Sequence, residues 1–170
     1  MAKLSPYRSL PPDRRVLLVT HAIKASKEGR AVFVQRLAGR GGFRVTTLQQ
    51  WPAEKLAAEI VRTKAESSTD ELDLLHLLYV TLEPAIQITF LATGGVNHQD
   101  GNIDEGLTSP YADAGAVSRA ATKVREQHGE DGMRYLRTLA RYAQNDWPGI
   151  DGIVKQFDRE SITAAAPDGD

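Results

Sequence analysis

The sequence predicts a mainly α fold, a single-domain bundle of about five to six helices, and three observations predict it. Apolar residues recur at helical spacing through most of residues 13–158. The segments that carry this period are bounded by helix-starting and helix-breaking residues. The chain has 170 residues, 41% hydrophobic and 25% charged, which is ordinary for one globular domain with a real core. A short hairpin fits in the glycine-rich stretch 93–110.

Residues 1–12 carry Pro6, Pro11 and Pro12 and read as an irregular arm. From Asp13 to Ser26, the residues Val16, Leu17, Leu18, Val19, Ala22, Ile23 and Ala25 fit a largely buried helix. Val16–Thr20 alone also suits a strand, since a short apolar run has no readable period. Ala31, Val34, Leu37 and Ala38 repeat at helical spacing, and Gly39-Arg40-Gly41-Gly42 breaks the pattern. Pro52 and Glu54 mark the start of a helix that continues through Leu56 and Ile60. Ser68 and Glu71 have capping-box spacing before Leu72, Leu74 and Leu75. This predicts a central helix over 69–92, kinked at Pro84. Three helices follow, over about 112–128, 131–145 and 148–158. Residues 159–170 read as a flexible tail.

Charge is unevenly distributed. Residues 1–64 hold 13 Lys/Arg and 4 Asp/Glu, whereas 65–118 hold 9 Asp/Glu and no Lys or Arg. Such asymmetry marks a partner surface unless the two blocks pair inside the fold. The chain has no cysteine, which removes disulfides, thiolate metal sites and thiol nucleophiles and is compatible with a cytoplasmic location. Met1–Pro12 lacks the apolar core of a secretory signal. The most apolar stretch, 74–92, contains His76, Glu83, Pro84 and Gln87, so no membrane span is expected.

Three constellations carry candidate chemistry. In the loop, His98, Asp100, Asn102 and Asp104 include the alternating oxygen donors of a calcium loop. The pattern then fails, because Glu105 stands where glycine is required and Tyr111 where the closing glutamate belongs. The segment reads first as a solvated turn. On the central helix, Asp73, His76, Glu83 and Gln87 share one predicted face, and Asp73 and His76 have the spacing by which a carboxylate orients an imidazole or shares a metal with it. A di-iron site needs a second carboxylate-x-x-His pair, and none is present, so this face reads first as the polar side of an apolar helix.

The third constellation is a helix-turn-helix over 31–51. In it Arg30, Arg36, Arg40 and Arg44 would contact phosphates, and Thr46, Thr47, Gln49 and Gln50 would face a groove of duplex DNA. Its turn is long and rich in glycine. Walker, dinucleotide-binding and serine-elbow patterns are absent. No cofactor is predicted. The expectation is a non-enzymatic helical interaction or regulatory module that self-associates as a dimer through its basic and acidic surfaces. The alternatives are a DNA-binding regulator and a small-molecule or metal-binding protein or enzyme built on the 93–110 loop.

Overall fold

The computed structural model describes residues 4–165. They are mainly helical, with one two-stranded antiparallel ribbon. Among them are eight α-helices, two beyond the upper expectation. No single helix among them is long and apolar enough to cross a membrane. Residues 166–170, the end of the expected tail, lie outside the described residues. The chain divides into two compact units, Met1–Leu78 and Tyr79–Asp170.

The N-terminal unit contains α1 (Pro12–Ala25), α2 (Lys27–Gly41), α3 (Val45–Gln49), α4 (Ala53–Thr63) and α5 (Ser68–His76). Pro12 opens α1, where its missing N–H costs nothing. The predicted helix at 13–26 is therefore present and the strand option for Val16–Thr20 is not. The second helix is longer than the period over 31–38 indicated. Ser26 caps it, its Oγ accepting from Gly29 N at 2.8 Å. Gly39 and Gly41 remain helical, and the chain leaves the helix only at Gly42, in the left-handed region at φ 69°. α4 is strongly amphipathic and buries Leu56, Ala57, Ile60 and Val61. It packs against α1 and α2, and α5 touches α1.

Residues 4–11, ahead of α1, form turns and no helix or strand, and residues 1–3 of the expected arm lie outside the described residues. Tyr7 and Leu10 are nevertheless buried in the core. The capping box of α5 lies one residue earlier than predicted. Ser67 Oγ accepts from Asp70 N at 3.2 Å, and Asp70 Oδ2 accepts from Ser67 N at 2.6 Å. Glu71 is engaged elsewhere, by the arm.

The expected helix over 69–92 is not one helix. α5 ends at His76, residues Leu77–Leu82 form a π-helical segment, and α6 runs Ala85–Thr93 behind Pro84. Proline offers no N–H to the preceding ladder, and the wide π turn uses one extra residue per hydrogen bond. Helical periodicity therefore does not carry through 77–84.

The C-terminal unit holds α6, the ribbon β1 (His98–Gln99) and β2 (Asn102–Ile103), α7 (Ala114–Tyr142) and α8 (Ile150–Ala165). α7 joins the two predicted helices across a break at Gly129, with φ 53° and ψ −128°. That conformation is natural to glycine and strained for other residues. α8 continues seven residues past its predicted end at 158, so 159–165 are helix and not tail. The run Arg159–Ala165 lacks glycine and proline and gives the helix no local reason to stop. The core of this unit is an aromatic cluster. The Phe90 ring stands edge-on to Tyr135 at 5.7 Å and to Trp147 at 4.9 Å, geometries favoured by the ring quadrupole.

Candidate interaction groove

The single residue Ser26 joins α1 to α2, so the end of one helix and the start of the next lie side by side. Gly29 leaves room for the cap of α2, because a Cβ there would stand 2.9 Å from Ser26 Oγ. Beside this corner α5 presents Asp70, Asp73 and Leu74, and Leu77 follows from the first residue of the π-helical segment. Together with Ala22, Ser26, Gly29, Val32 and Phe33 they line an open groove of about 360 Å³. That volume falls within the range of ligand pockets. Val32 is 50% exposed on its wall, an aliphatic side chain left in water on a helix that otherwise turns polar groups outward.

The two acidic residues of the groove differ. Asp70 is spent, since its Oδ2 accepts from Arg36 Nη1 as well as from Ser67 N. Asp73 is exposed and has no ion pair among the described residues. The groove is therefore mainly apolar, interrupted by Ser26 and the engaged Asp70, with one available anion at Asp73.

The arginines expected to contact phosphate are placed differently. Arg30 Nη2 donates to the carbonyls of Gln49 at 3.0 Å and Trp51 at 2.6 Å. Arg40 Nη1 donates to Lys64 O at 2.5 Å, and Arg36 Nη1 donates to Ala65 O at 3.4 Å besides Asp70. These guanidiniums sit on the carbonyl-rich ends of α3 and α4, where the helix dipole favours cations. Arg44 is exposed at the cap of α3. The intended recognition helix is only the five residues of α3. Thr46, Thr47, Gln49 and Gln50 are exposed on and just beyond it. The structure thus brings the basic residues together as helix caps, not as a patch beside a long exposed helix.

The loop donors are explained by turn chemistry. Asp100 and Gly101 have φ 52° and 89°, the paired left-handed residues of a tight hairpin turn. His98 pairs with Ile103 in the ribbon, and its Nδ1 accepts from Gly101 N at 3.3 Å. Asn102 Nδ2 donates to Gln99 O at 3.4 Å, and Asp104 is held through its backbone N to Asn97 O. Asp73 and His76 are exposed on α5. Glu83 follows the π-helical segment and belongs to the other unit, so it is not on one continuous α-helix with Asp73 and His76. No group of three His, Asp or Glu is arranged to hold a metal ion among the described residues.

Part of the charge asymmetry is resolved inside the N-terminal unit. Arg8 Nε donates to Glu71 at 2.5 Å, and its Nη1 donates to Glu66 at 3.2 Å. Ser5 Oγ and Tyr7 Oη donate to Glu71 and Glu66 at 2.6 and 2.7 Å. Burial lowers the Arg8 pKa, but the hydrogen bond that Arg8 donates to Glu71 and the field of Glu66 outweigh it and leave that pKa raised. Burial, and then the Glu66 charge, push the Tyr7 phenol well above its ordinary value.

A second concavity, of about 500 Å³, lies in the C-terminal unit between Leu82–Ile88 and the break in α7, and His128 and Asp131 line it. His128 Nε2 stands 3.0 Å from Thr89 Oγ1, which donates to Ala85 O at 2.9 Å. The histidine is thus the donor in this pair. The sequence reading missed both concavities. The one local signal for the groove was Val32, an aliphatic residue out of phase with Ala31, Val34, Leu37 and Ala38. No family model, curated protein or solved structure matches this chain.

Proposed function

We propose that this protein is a non-enzymatic helical interaction module whose docking surface is the groove of the N-terminal unit. The observation that carries this reading is the combination of an open apolar groove, a half-exposed Val32 on its wall and an available Asp73 at its edge. An amphipathic helix is the occupant such a surface fits, with aliphatic side chains one turn apart in the groove and a Lys or Arg facing Asp73. The internal use of Arg8, Arg30, Arg36 and Arg40 moves the interaction away from the basic face and toward this groove.

Titration of the isotope-labelled chain with a panel of basic amphipathic helical peptides tests the reading by NMR. Shift changes should concentrate at Ala22, Gly29, Val32 and Leu77, and Val32→Arg should abolish them. A panel that perturbs none of these positions sinks the proposal.

A further inference from the structure

We infer that the occupant of this groove is a second copy of the chain, which inserts the last two turns of α8, bearing Arg159 and Ile162. The inference rests on the reading of the groove as a docking surface and names its partner.

Ile162 is 73% exposed, the most exposed large apolar side chain among the described residues. Arg159 is three residues earlier, so the two share one face of the helix. Arg159 is exposed and has no ion pair among the described residues. The end of α8 therefore offers an aliphatic group beside an available cation. The groove offers an aliphatic wall at Val32 beside an available anion at Asp73.

The chain's other exposed aliphatic residues fit less well. Leu4 is 69% exposed but lies on the arm, outside any helix. Leu72 is next to Asp73 itself and would bring like charge to the groove, and Leu107 lies in the connection between β2 and α7, not on a helix. Leu17 lies in the middle of α1, and Arg14 on its face is already engaged.

Each copy supplies one groove and one helix end. The contact is therefore between unlike surfaces of two copies. The contact is small, and small interfaces belong to weak, transient association. The Asp73–Arg159 pair contributes chiefly specificity and salt-sensitive encounter, not deep stability.

Sedimentation velocity of the full chain, from about 10 µM to about 1 mM and at low and high salt, tests the inference. The wild type should move toward dimer with concentration, less so at high salt. Asp73→Lys and Arg159→Glu should each weaken association at least about tenfold, since each sets like charges face to face. Both positions are exposed, so the melting temperature should hold. An equimolar mixture of the two variants should regain the dimer, because each mutated groove then meets the opposite mutated helix end.

A wild type that stays monomeric throughout, single variants that associate as the wild type does, or a mixture that fails to recover would each overturn the inference. A peptide of residues 150–165 added to the labelled chain separates this outcome from failure of the groove itself. Shifts at Gly29 and Val32 with basic peptides of other sequence, but not with this one, remove the self-pairing and leave the docking surface standing. Silence toward every peptide removes both.

Discussion

A Cβ placed on Gly132 would lie 2.6 Å from the carbonyl oxygen of Val124. The break at Gly129 folds the second half of α7 back so that its first turn meets backbone at the end of the first half. Backbone cannot step aside as a flexible side chain does. Gly132→Ala should destabilise the C-terminal unit by about 1–3 kcal/mol through overpacking. Gly129→Ala meets open space but a strained backbone, and should cost about 1–2 kcal/mol. Chemical denaturation of both variants checks this. Gly152→Ala is the control, because Gly152 lies within α8 with open space around it and should be neutral or slightly stabilising.

The carboxylate of Glu66 has no exposed side-chain surface, and Arg8 beside it keeps 18%. Removing the cation leaves a buried anion with one charged partner fewer. Arg8→Ala should destabilise by about 2–4 kcal/mol, the range for breaking a buried pair discounted for partial exposure. Joint replacement of Arg8 and Glu66 by apolar residues should cost less than Arg8→Ala alone. A double-mutant cycle measured by denaturant melts tests this, and strict additivity would refute it.

Two buried phenols tie stability to alkaline pH. Tyr7 and Tyr135 both have a pKa raised above the ordinary 10.0, Tyr7 by burial and then Glu66, Tyr135 by burial and then Tyr79. The folded state keeps each proton at a pH where the unfolded chain has released it. This stabilisation is complete below about pH 10 and falls as pH rises, by about 1.4 kcal/mol per unit for each phenol. Tyr135→Phe should flatten the alkaline decline of the C-terminal unit, as read from midpoints between pH 9 and about pH 12.

Arg40 is exposed and donates to the carbonyls of Thr63 and Lys64. Arg40→Ala should lower stability by about 0.5–1 kcal/mol, as expected for an exposed cation at a helix C-terminus. Arg36→Ala should cost more, because it also strips Asp70 of its ion pair and that carboxylate belongs to the cap of α5. Hydrogen exchange at the start of α5 should quicken in the Arg36 variant and not in the Arg40 variant.

The helices were legible where local rules and burial agree. Pro12, the apolar face of α4 and the break between 128 and 131 all follow from spacing and punctuation. The failures have physical sources. Ser67 and Ser68 both fit a cap, and the choice was made by the distant arm, which holds Glu71. The run from Leu72 to Leu91 is apolar enough to read as one helix, and hydropathy does not register the change of pitch at Leu77. The destinations of Arg30 and Arg40 were not legible, because their partners are main-chain carbonyls that carry no sequence signature, and Arg36 meets the Asp70 carboxylate 34 residues later in the chain. The groove is assembled from three helices, so no single window of the sequence contains it.

The clasp of Ser5, Tyr7 and Arg8 on Glu66 and Glu71 also sets a schedule for the growing polypeptide. Arg8 meets a carboxylate 58 residues later in the chain and a second one 63 residues later. On a ribosome adding about 5–20 residues per second, the arm waits roughly 3–13 s for its partners to be synthesised. Tyr7 and Leu10 stay in water through that interval. The arm, made before its partners, thus waits on them to be secured, and a pause in translation before residue 66 prolongs the time in which those side chains are open to other company.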